Sequence, residues 1–524
     1  MSNATTTRLM VIHRVLSVAF LLLMSWSLWT GIMALYADLV RPWLVPDLAS
    51  AFSRPPATVQ ATLLHLSERH AIGTEWTLIA PGQLRPFFVY SGRIAEGGAP
   101  TNLMVDPASG LELPWNNILA DGLLRRLHTD LLLPKPYGRL IMGAAGLVLA
   151  VVAASGLFIH GKVIRDAWRW RRRSRLLDLS DSHKRFGFWL LPFLLVMAFS
   201  GAMLGMKSVS LPVAALVQNG FSVAATEAAL RPPPSLAAWG GTVAEDNDPG
   251  SCLRQFAQRR PEVRLGRVAR RGDMLMIEGV AFGTLAWAGD GAGAVRAICR
   301  SGILENIGDS RAEGWPGAVE SALRPIHYAR FGGVAIVAVY VVLSILCLWI
   351  MDSGMRILWL RDRAGSGRYV WSRRFYDANN ALYVLLPLVL LLSNLLTGAT
   401  DTRALVVVAA TVCAAHLLPK LDGPRRFLAP ILGVVAGSSY VALPLARHLL
   451  HPEAPWLSAP PVLVVDLSVV LFGLWLTVRE FSRWTAFPWT VRSDTPAMTD
   501  VPRDFGSPGA GAIMVHVTRE HGKE

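Results

Sequence analysis

Four of the twelve histidines in this 524-residue chain sit where they could share a task. His13 and His183 each open an apolar stretch of one plan, HRVLSVAFLLLMSWSLWTG and HKRFGFWLLPFLLVMAFSG. In both, a glycine preceded by a hydroxyl residue lies eighteen residues after the histidine. At ~3.6 residues per turn that is about five turns, which puts histidine and glycine on one helix face. His128 and His327 precede two further apolar stretches, at the opposite end if the helices alternate in direction. Neutral imidazole is a good axial ligand for haem iron, and a b-type haem takes two, from facing helices. Matching by depth pairs His13 with His183 and His128 with His327. This pattern expects two haem b groups, one near each face of a bilayer, with the four imidazoles as iron ligands. The Gly and Ser residues at 31, 155–156, 200–201 and 332–333 would allow a backbone or a macrocycle to come close. A lone interfacial histidine is ordinarily an anchor or a hydrogen-bond partner. Repetition at matched depths in a duplicated unit is what points to metal.

The other histidines fit such a role less well. His160 closes the second apolar stretch and could replace His13 or His183. His65 and His70 lie on an exterior helix as surface residues, and His416 packs near a helix end. His448 and His451 stand at i, i+3 in a short exterior loop, where a metal or plain solvation would suit them. Leu133-Pro-Lys-Pro136 separates His128 from the helix that follows, and proline breaks helices, so His128 falls on its own short segment. No GxGxxG after a strand, Walker A, CxxC, CxxCH or HExxH pattern is present. Any electrons therefore come from a cytoplasmic protein or a quinol rather than from a flavin or nicotinamide on this chain.

The elements that must position these residues are membrane helices. The chain is 52% hydrophobic and 17% charged, mean hydropathy is +0.39, and apolar runs of membrane-spanning length recur. The net charge of +14 resembles that of a nucleic-acid binder. Its distribution excludes that class. Nine Lys/Arg lie between Lys162 and Arg185, six between Arg356 and Arg374 and three between Lys420 and Arg426, all flanking apolar helices. Arg8 and Arg14 place the N-terminus of the first helix in the cytoplasm, and its apolar run is too long for a signal peptide, so it reads as a retained anchor.

In order, residues 1–36 carry the first span (12–36), and 37–136 form an exterior module. That module contains a helix from Ala57 to His70, strands at WTLIA, FFVYS and TNLMV, and a turn from Asp106 to Gly110. Residues 137–206 hold spans at 138–160 and 184–206 around a basic cytoplasmic loop. Residues 207–325 form a second exterior module, with a helix from Ser251 to Arg260 and strands at RLGRVAR, DMLMIEGV and TLAWAG. Residues 326–374 give the fourth span (327–351) and a basic loop. Residues 375–480 add spans at 379–398, 403–419, 427–447 and 460–479, and 481–524 form a Pro/Gly-rich cytoplasmic tail. The plan is a duplication of helix, exterior module and helix, with four added helices. Cys252 and Cys299 share one exterior loop, either as a disulfide or as two unpaired thiols, while Cys347 and Cys413 read as core packing. Asn380, eighteen residues before Gly398, is a degenerate copy of the histidine motif or a coincidence of Leu-rich sequence. The expected fold class is an α-helical polytopic membrane protein of about eight transmembrane helices with two small α+β modules.

The stretches HRVLSVAFLLLMSWSLWTG, LHTDLLLPKPYG with its later ASG, DSHKRFGFWLLPFLLVMAFSG, IHYARFGG and NLMVDPASGLEL resemble the PepSY-associated transmembrane family. This is the family of iron-regulated inner-membrane proteins that includes siderophore reductases. The likeness covers about residues 8–365. It implies PepSY-like periplasmic modules, a bacterial inner-membrane location with both termini cytoplasmic, and histidine ligands at His13, His128, His183 and His327. It also implies a haem-dependent reductase acting on a periplasmic ferric siderophore. The competing reading is a binding or permease module for a siderophore or peptide in iron uptake. A sensor or assembly factor is a third.

Overall fold

The computed structural model describes residues 3–45, 48–49, 59–69, 72–81, 87–94, 100–106, 109–113, 124–159, 168, 175–218, 222–230, 249–281, 295–309, 314–331, 333–361, 367–397, 422–452 and 459–485. Among them, six helices are long and apolar enough to cross a membrane, and a bent pair makes a seventh. The eighth expected span, 403–419, lies outside the described residues, as do His70, His160, His416, Cys413, Gly398 and the tail beyond residue 485.

The first helix is α1 (Asn3–Leu44), longer at both ends than its apolar run. The first exterior segment gives α2 (Val59–Arg69), β1 (Ile72–Ile79), β2 (Phe88–Ile94), β3 (Pro100–Val105) and the short β4 (Glu112–Leu113). The turn expected from Asp106 forms: Gly110 has φ 69°, its N–H donates to the Asp106 carbonyl (2.8 Å), and Ser109 Oγ donates to the Asp106 carboxylate (2.7 Å). Helix α3 (Leu124–Asp130) then precedes the span α4 (Tyr137–Ile159).

The expected straight span from 184 to 206 is two helices, α5 (Arg175–Trp189) and α6 (Leu191–Gly205), meeting at 61°. Pro192 stands in the first turn of α6 and has no N–H for the carbonyl one turn back, so the chain bends at Leu190. After α7 (Lys207–Gln218) and α8 (Val223–Leu230), the second exterior segment gives α9 (Pro249–Arg259), β5 (Val263–Arg271), β6 (Met274–Ala281), β7 (Val295–Arg300) and β8 (Ile303–Asp309). The sequence reading missed β7 and β8, and TLAWAG lies outside the described residues. Helix α10 (Gly314–His327) is separate from the span α11 (Gly333–Arg361), so the fourth span does not begin at His327 as expected. The chain closes with α12 (Gly367–Thr397), α13 (Asp422–Leu450) and α14 (Pro460–Thr485).

The two exterior segments are not separate modules facing each other across a gap. They make one eight-stranded antiparallel sheet in the order β4-β3-β2-β1-β5-β6-β7-β8. The seam is β1 with β5, Thr77 opposite Ala269, so each module closes the other's open edge. Helices α2 and α9 lie over one face on a shared core of Leu63, Leu66, Trp76, Tyr90, Phe256 and Ile277. On the other face, Glu278 is buried and accepts from Arg267 Nε (2.5 Å) and Arg296 Nε (2.9 Å). The end of α1 packs its Leu44 and Val45 against Phe87, Val89 and Met104 at β2 and β3, which fixes sheet to membrane helices.

Below the sheet, α4 crosses α6 at glycines. A Cβ on Gly205 would stand 2.8 Å from Gly143 Cα, and one on Gly146 would stand 2.9 Å from the Ala198 carbonyl. Only glycine lets these helices approach so closely. The helices α12–α14 pack on α1. Trp43 Nε1 donates to Asp466 (2.6 Å), Arg447 Nε donates to the Trp43 carbonyl (2.6 Å), and Tyr440 donates to the Val384 carbonyl (2.6 Å).

Cys252 of α9 and Cys299 of β7 are bridged, across 47 residues of chain, which decides between the two states their shared loop allowed. Closing a loop of that length stabilises by about 4 kcal/mol in the chain-entropy account. The double substitution of Cys252 and Cys299 by alanine is expected to lower the melting temperature of the exterior sheet by several degrees, read by thermal circular dichroism in detergent. An unchanged transition would refute a stabilising role for the bridge.

Candidate functional site

The four histidines reach four copies of one small device. His13 leaves α1 and lies on α4, where Nδ1 is 2.9 Å from the Val152 carbonyl and 3.1 Å from Ser155 Oγ. His183 leaves α5 and lies on α11, with Nδ1 3.0 Å from the Ile350 carbonyl and 3.0 Å from Ser353 Oγ. His128 leaves α3 and lies on α1, with Nδ1 3.1 Å from the Ser27 carbonyl and 3.3 Å from Thr30 Oγ1. His327, the last residue of α10, lies on α6 with Nδ1 3.0 Å from Ser200 Oγ.

A glycine follows each hydroxyl residue, and each leaves room for the ring. A Cβ built on Gly156 would stand 3.2 Å from His13 Cε1, and one on Gly354 would stand 3.1 Å from His183 Cε1. The corresponding distances are 3.2 Å from Gly31 to His128 and 3.0 Å from Gly201 to His327. At His13, His183 and His128 the device is a helix turn carrying a carbonyl, a hydroxyl three residues on, and then glycine, against which an imidazole rests edge-on, and at His327 the Ser200 hydroxyl is the Nδ1 partner beside Gly201.

The hydrogen bonds fix the tautomer. Ser155 donates its hydroxyl hydrogen to the Val152 carbonyl (2.8 Å), Ser353 to Ile350 (2.8 Å), Thr30 to Trp26 (2.7 Å) and Ser200 to Val196 (2.6 Å). With the hydroxyl hydrogen committed, each oxygen has only lone pairs to offer, and Nδ1–H is the donor. Nε2 is then the unprotonated nitrogen, the form in which imidazole ligates a metal.

Two levels result. Gly31 lies eighteen residues beyond His13 on α1, about 27 Å along the axis at ~1.5 Å per residue. Ser155 stands about 27 Å from the start of α4, and Ser353 about 30 Å from the start of α11, so His13 and His183 share the level far from the sheet. At the sheet end, His128 and His327 face each other with ring centres 6.0 Å apart and planes inclined by 23°. A metal held by two imidazole nitrogens at about 2 Å, with each ring centre ~1.2 Å further back, separates the centres by about 6 Å. The spacing between the two rings is that of a pair of imidazoles able to share one metal ion. Among the described residues, no cluster of three or more His, Cys, Asp or Glu is placed to chelate a bare ion.

Two sequence inferences change. The glycine eighteen residues after a histidine does not serve that histidine. Gly31 receives His128 and Gly201 receives His327, because the ring that needs the space comes from the far end of the bundle. The fourth glycine site is Ser353-Gly354, not 332–333. Gly332 lies outside the described residues and Gly333 opens α11. A signal for it existed: Gly156 follows His128 by 28 residues and Gly354 follows His327 by 27, each preceded by serine. The asymmetry expected of His128 also disappears. Both sheet-end histidines sit on short helices set apart from the next span, one before Pro134 and Pro136, the other before Ala329 at φ 54°. His448 is in the last turn of α13 rather than in a loop.

The model of the PepSY-associated TM region matches residues 10–361. The match takes in all four histidines and all four hydroxyl–glycine pairs, and it stops at the end of α11. An uncharacterized protein of Pseudomonas aeruginosa is 30% identical over 387 residues, which cover 67% of this chain and 92% of that protein. The duplicated helices, the sheet they share and the matched residues together make this chain a multi-pass membrane protein of the PepSY-associated transmembrane family.

Proposed function

We propose that this protein carries electrons across the bacterial inner membrane through two b-type haems and reduces a ferric siderophore on the periplasmic side. The observation that supports it best is the fourfold device: each histidine is held at Nδ1 by a neighbouring helix and seated on glycine, with one pair at each end of the bundle. Holding Nδ1–H makes Nε2 the unprotonated nitrogen, the one that can ligate a metal. His128 and His327 would hold one haem at the sheet end, and His13 and His183 the other at the cytoplasmic end. Bound there, haem supplies a one-electron couple, Fe(III) to Fe(II). The chain's own residues set the terms. The Nδ1–H bonds to Val152, Ser27 and Ile350 raise the basicity of the ligating nitrogen and lock ring orientation. The glycines let each ring sit against its neighbouring helix, and the apolar bundle excludes water.

The electron donor in this reading is a cytoplasmic protein or a quinol in the lipid bilayer, and the acceptor is an anionic oxygen chelate of Fe(III). Reduction releases the metal because Fe(II) is held more weakly by hard oxygen ligands. The basic segments 162–185 and 356–374 follow the positive-inside pattern, which supports a cytoplasmic side for both termini and a periplasmic side for the sheet.

Purified protein is expected to be red, and dithionite is expected to sharpen and shift its Soret band as two bis-imidazole centres reduce. His128→Ala and His327→Ala should each remove the same half of the haem spectrum, and His13→Ala and His183→Ala the other half. A colourless, iron-free preparation that still supports ferric-chelate uptake would falsify the proposal.

The seats can be tested apart from the ligands. Gly201→Val places two methyl groups where His327 Cε1 rests and should abolish the sheet-end haem while leaving the other. Ser155→Ala or Ser353→Ala removes one partner of Nδ1 and should weaken haem retention at the cytoplasmic end by about tenfold or more, read by haem transfer to apomyoglobin. Equal retention in wild type and Ser→Ala protein would show that the hydroxyls take no part.

A further inference from the structure

The two halves of the duplication are clasped alike but supported differently. Behind the turn of α1 that receives His128 stands an aromatic stack. Trp29 and Tyr383 lie 5.0 Å apart with planes at 11°, Trp26 and Tyr383 are 6.3 Å apart at 29°, and Trp26 and Trp29 are 5.5 Å apart. Tyr383 belongs to α12, outside the family match. Leu127 and Leu132, which flank His128 in α3 and its following turn, pack into the same cluster with Leu386 and Leu390 of α12. Asn379, one turn before Tyr383, donates to Ser25 Oγ (3.3 Å) on α1.

Those contacts meet the hydrogen bonds of the site. The Trp26 carbonyl takes the Thr30 hydroxyl hydrogen at 2.7 Å, which leaves Thr30 Oγ1 to accept from His128 Nδ1. The Ser27 carbonyl, between Trp26 and Trp29, accepts from the same Nδ1. Moving either tryptophan ring moves the turn that carries both acceptors. In the second half, the residues matching Trp26 and Trp29 are Val196 and Phe199, and they are 45% and 55% exposed. No helix equivalent to α12 lies against them among the described residues.

We infer that Tyr383 is a positioning residue for the sheet-end histidine pair, acting through Trp26 and Trp29 on the hydrogen bonds at His128 Nδ1. The inference rests on the haem reading above. The ring is the working part. Tyr383 Oη lies beside Ser25 and Asn379, whereas the face of the ring is what meets Trp26 and Trp29, and phenylalanine keeps that face. A firm Nδ1–H bond makes Nε2 more basic and favours the ferric state. Loosening the stack weakens that bond and raises the midpoint potential at the sheet end.

The test is a redox titration of the full-length haem protein, with the two centres distinguished by their loss in His327→Ala and His13→Ala. Tyr383→Ala should move the sheet-end midpoint upward and leave the cytoplasmic-end midpoint in place, and Tyr383→Phe should restore the wild-type value. If Tyr383→Ala does not accumulate, Tyr383→Leu keeps most of the volume, removes the flat ring, and should shift the same centre in the same direction. Unchanged midpoints in the alanine or leucine variant overturn the inference. A parallel shift of both centres would mean general loosening and overturns it too. A shift in Tyr383→Phe as large as in Tyr383→Ala would assign the effect to the hydroxyl and overturn it as stated. A wild type without haem removes the earlier proposal together with this one, whereas a dihaem wild type with a silent Tyr383→Ala removes this one alone.

Discussion

An imidazole N–H inside an apolar bundle needs an acceptor, and most features of this fold follow from supplying four of them. The acceptor is a hydroxyl oxygen at all four sites, joined at three of them by a helix carbonyl, which at Val152 and Ile350 also takes the hydroxyl hydrogen. Reaching it from a neighbouring helix requires that no side chain stand in the way, which is why each site ends in glycine. The hydroxyl one turn along the same face narrows the direction from which the ring can approach. An unmet Nδ1–H here would cost roughly 1–3 kcal/mol, so the clasp decides orientation as well as tautomer. The bond at each site joins residues 98 to 170 positions apart. These clasps therefore pin the bundle at both ends, beside the glycine crossing of α4 and α6.

The requirement that a ring approach a neighbouring helix from the side explains the breaks in the chain. If α3 ran on into α4, His128 would project along the same helix surface as the apolar residues of α4. The chain instead turns at Leu131 and Leu132, with φ of 54° and 61°, and restarts after Pro136. A left-handed non-glycine residue costs about 1–2 kcal/mol, and two in succession are retained where the turn has work to do. The second half reaches the same geometry with other residues, Ala329 at φ 54° ahead of Gly333. One constraint met by two unrelated local solutions is evidence that the placement of the histidine is what both halves preserve.

Much of this was legible in the sequence, because hydropathy and histidine depth are one-dimensional properties. The spans, the duplication, the exterior strands β1, β2, β3, β5 and β6, and the four histidines could be read directly. The partner of each histidine could not, since it lies on another helix more than ninety residues away. Helical periodicity on a single helix led to Gly31 and Gly201 but could not name the rings that rest on them, His128 and His327. The bend at Leu190 was visible as Pro192 and was masked by the apolar run around it. Strands β7 and β8 were missed because VRAICR and ILENIGD mix charge with apolar residues. Cys299 and Leu304 face the core under α9, and the charged neighbours point away. The β1–β5 seam was beyond reach, since pairing two edges from separate modules leaves no local signature.

The duplication has a consequence that neither half carries alone. Within each half, both histidines are clasped by that half's own helices: α3 on α1 and α1 on α4 in the first, α10 on α6 and α5 on α11 in the second. The proposed ligation, however, takes one histidine from each half. The halves are joined by the β1–β5 seam above and the α4–α6 crossing below, and His128 faces His327 across that interface. Each half therefore folds around its own hydrogen bonds, and the site forms where the two halves meet. Separating the hold on each ring from the spacing between rings lets the crossing of α4 and α6 set how far His128 stands from His327 without disturbing how either ring is held. Helix α12 ties the halves together a third time: Tyr383 stacks on Trp29 of α1, while Tyr376 packs edge-on against Trp359 of α11, whose Nε1 donates to Ser372 Oγ at 3.0 Å.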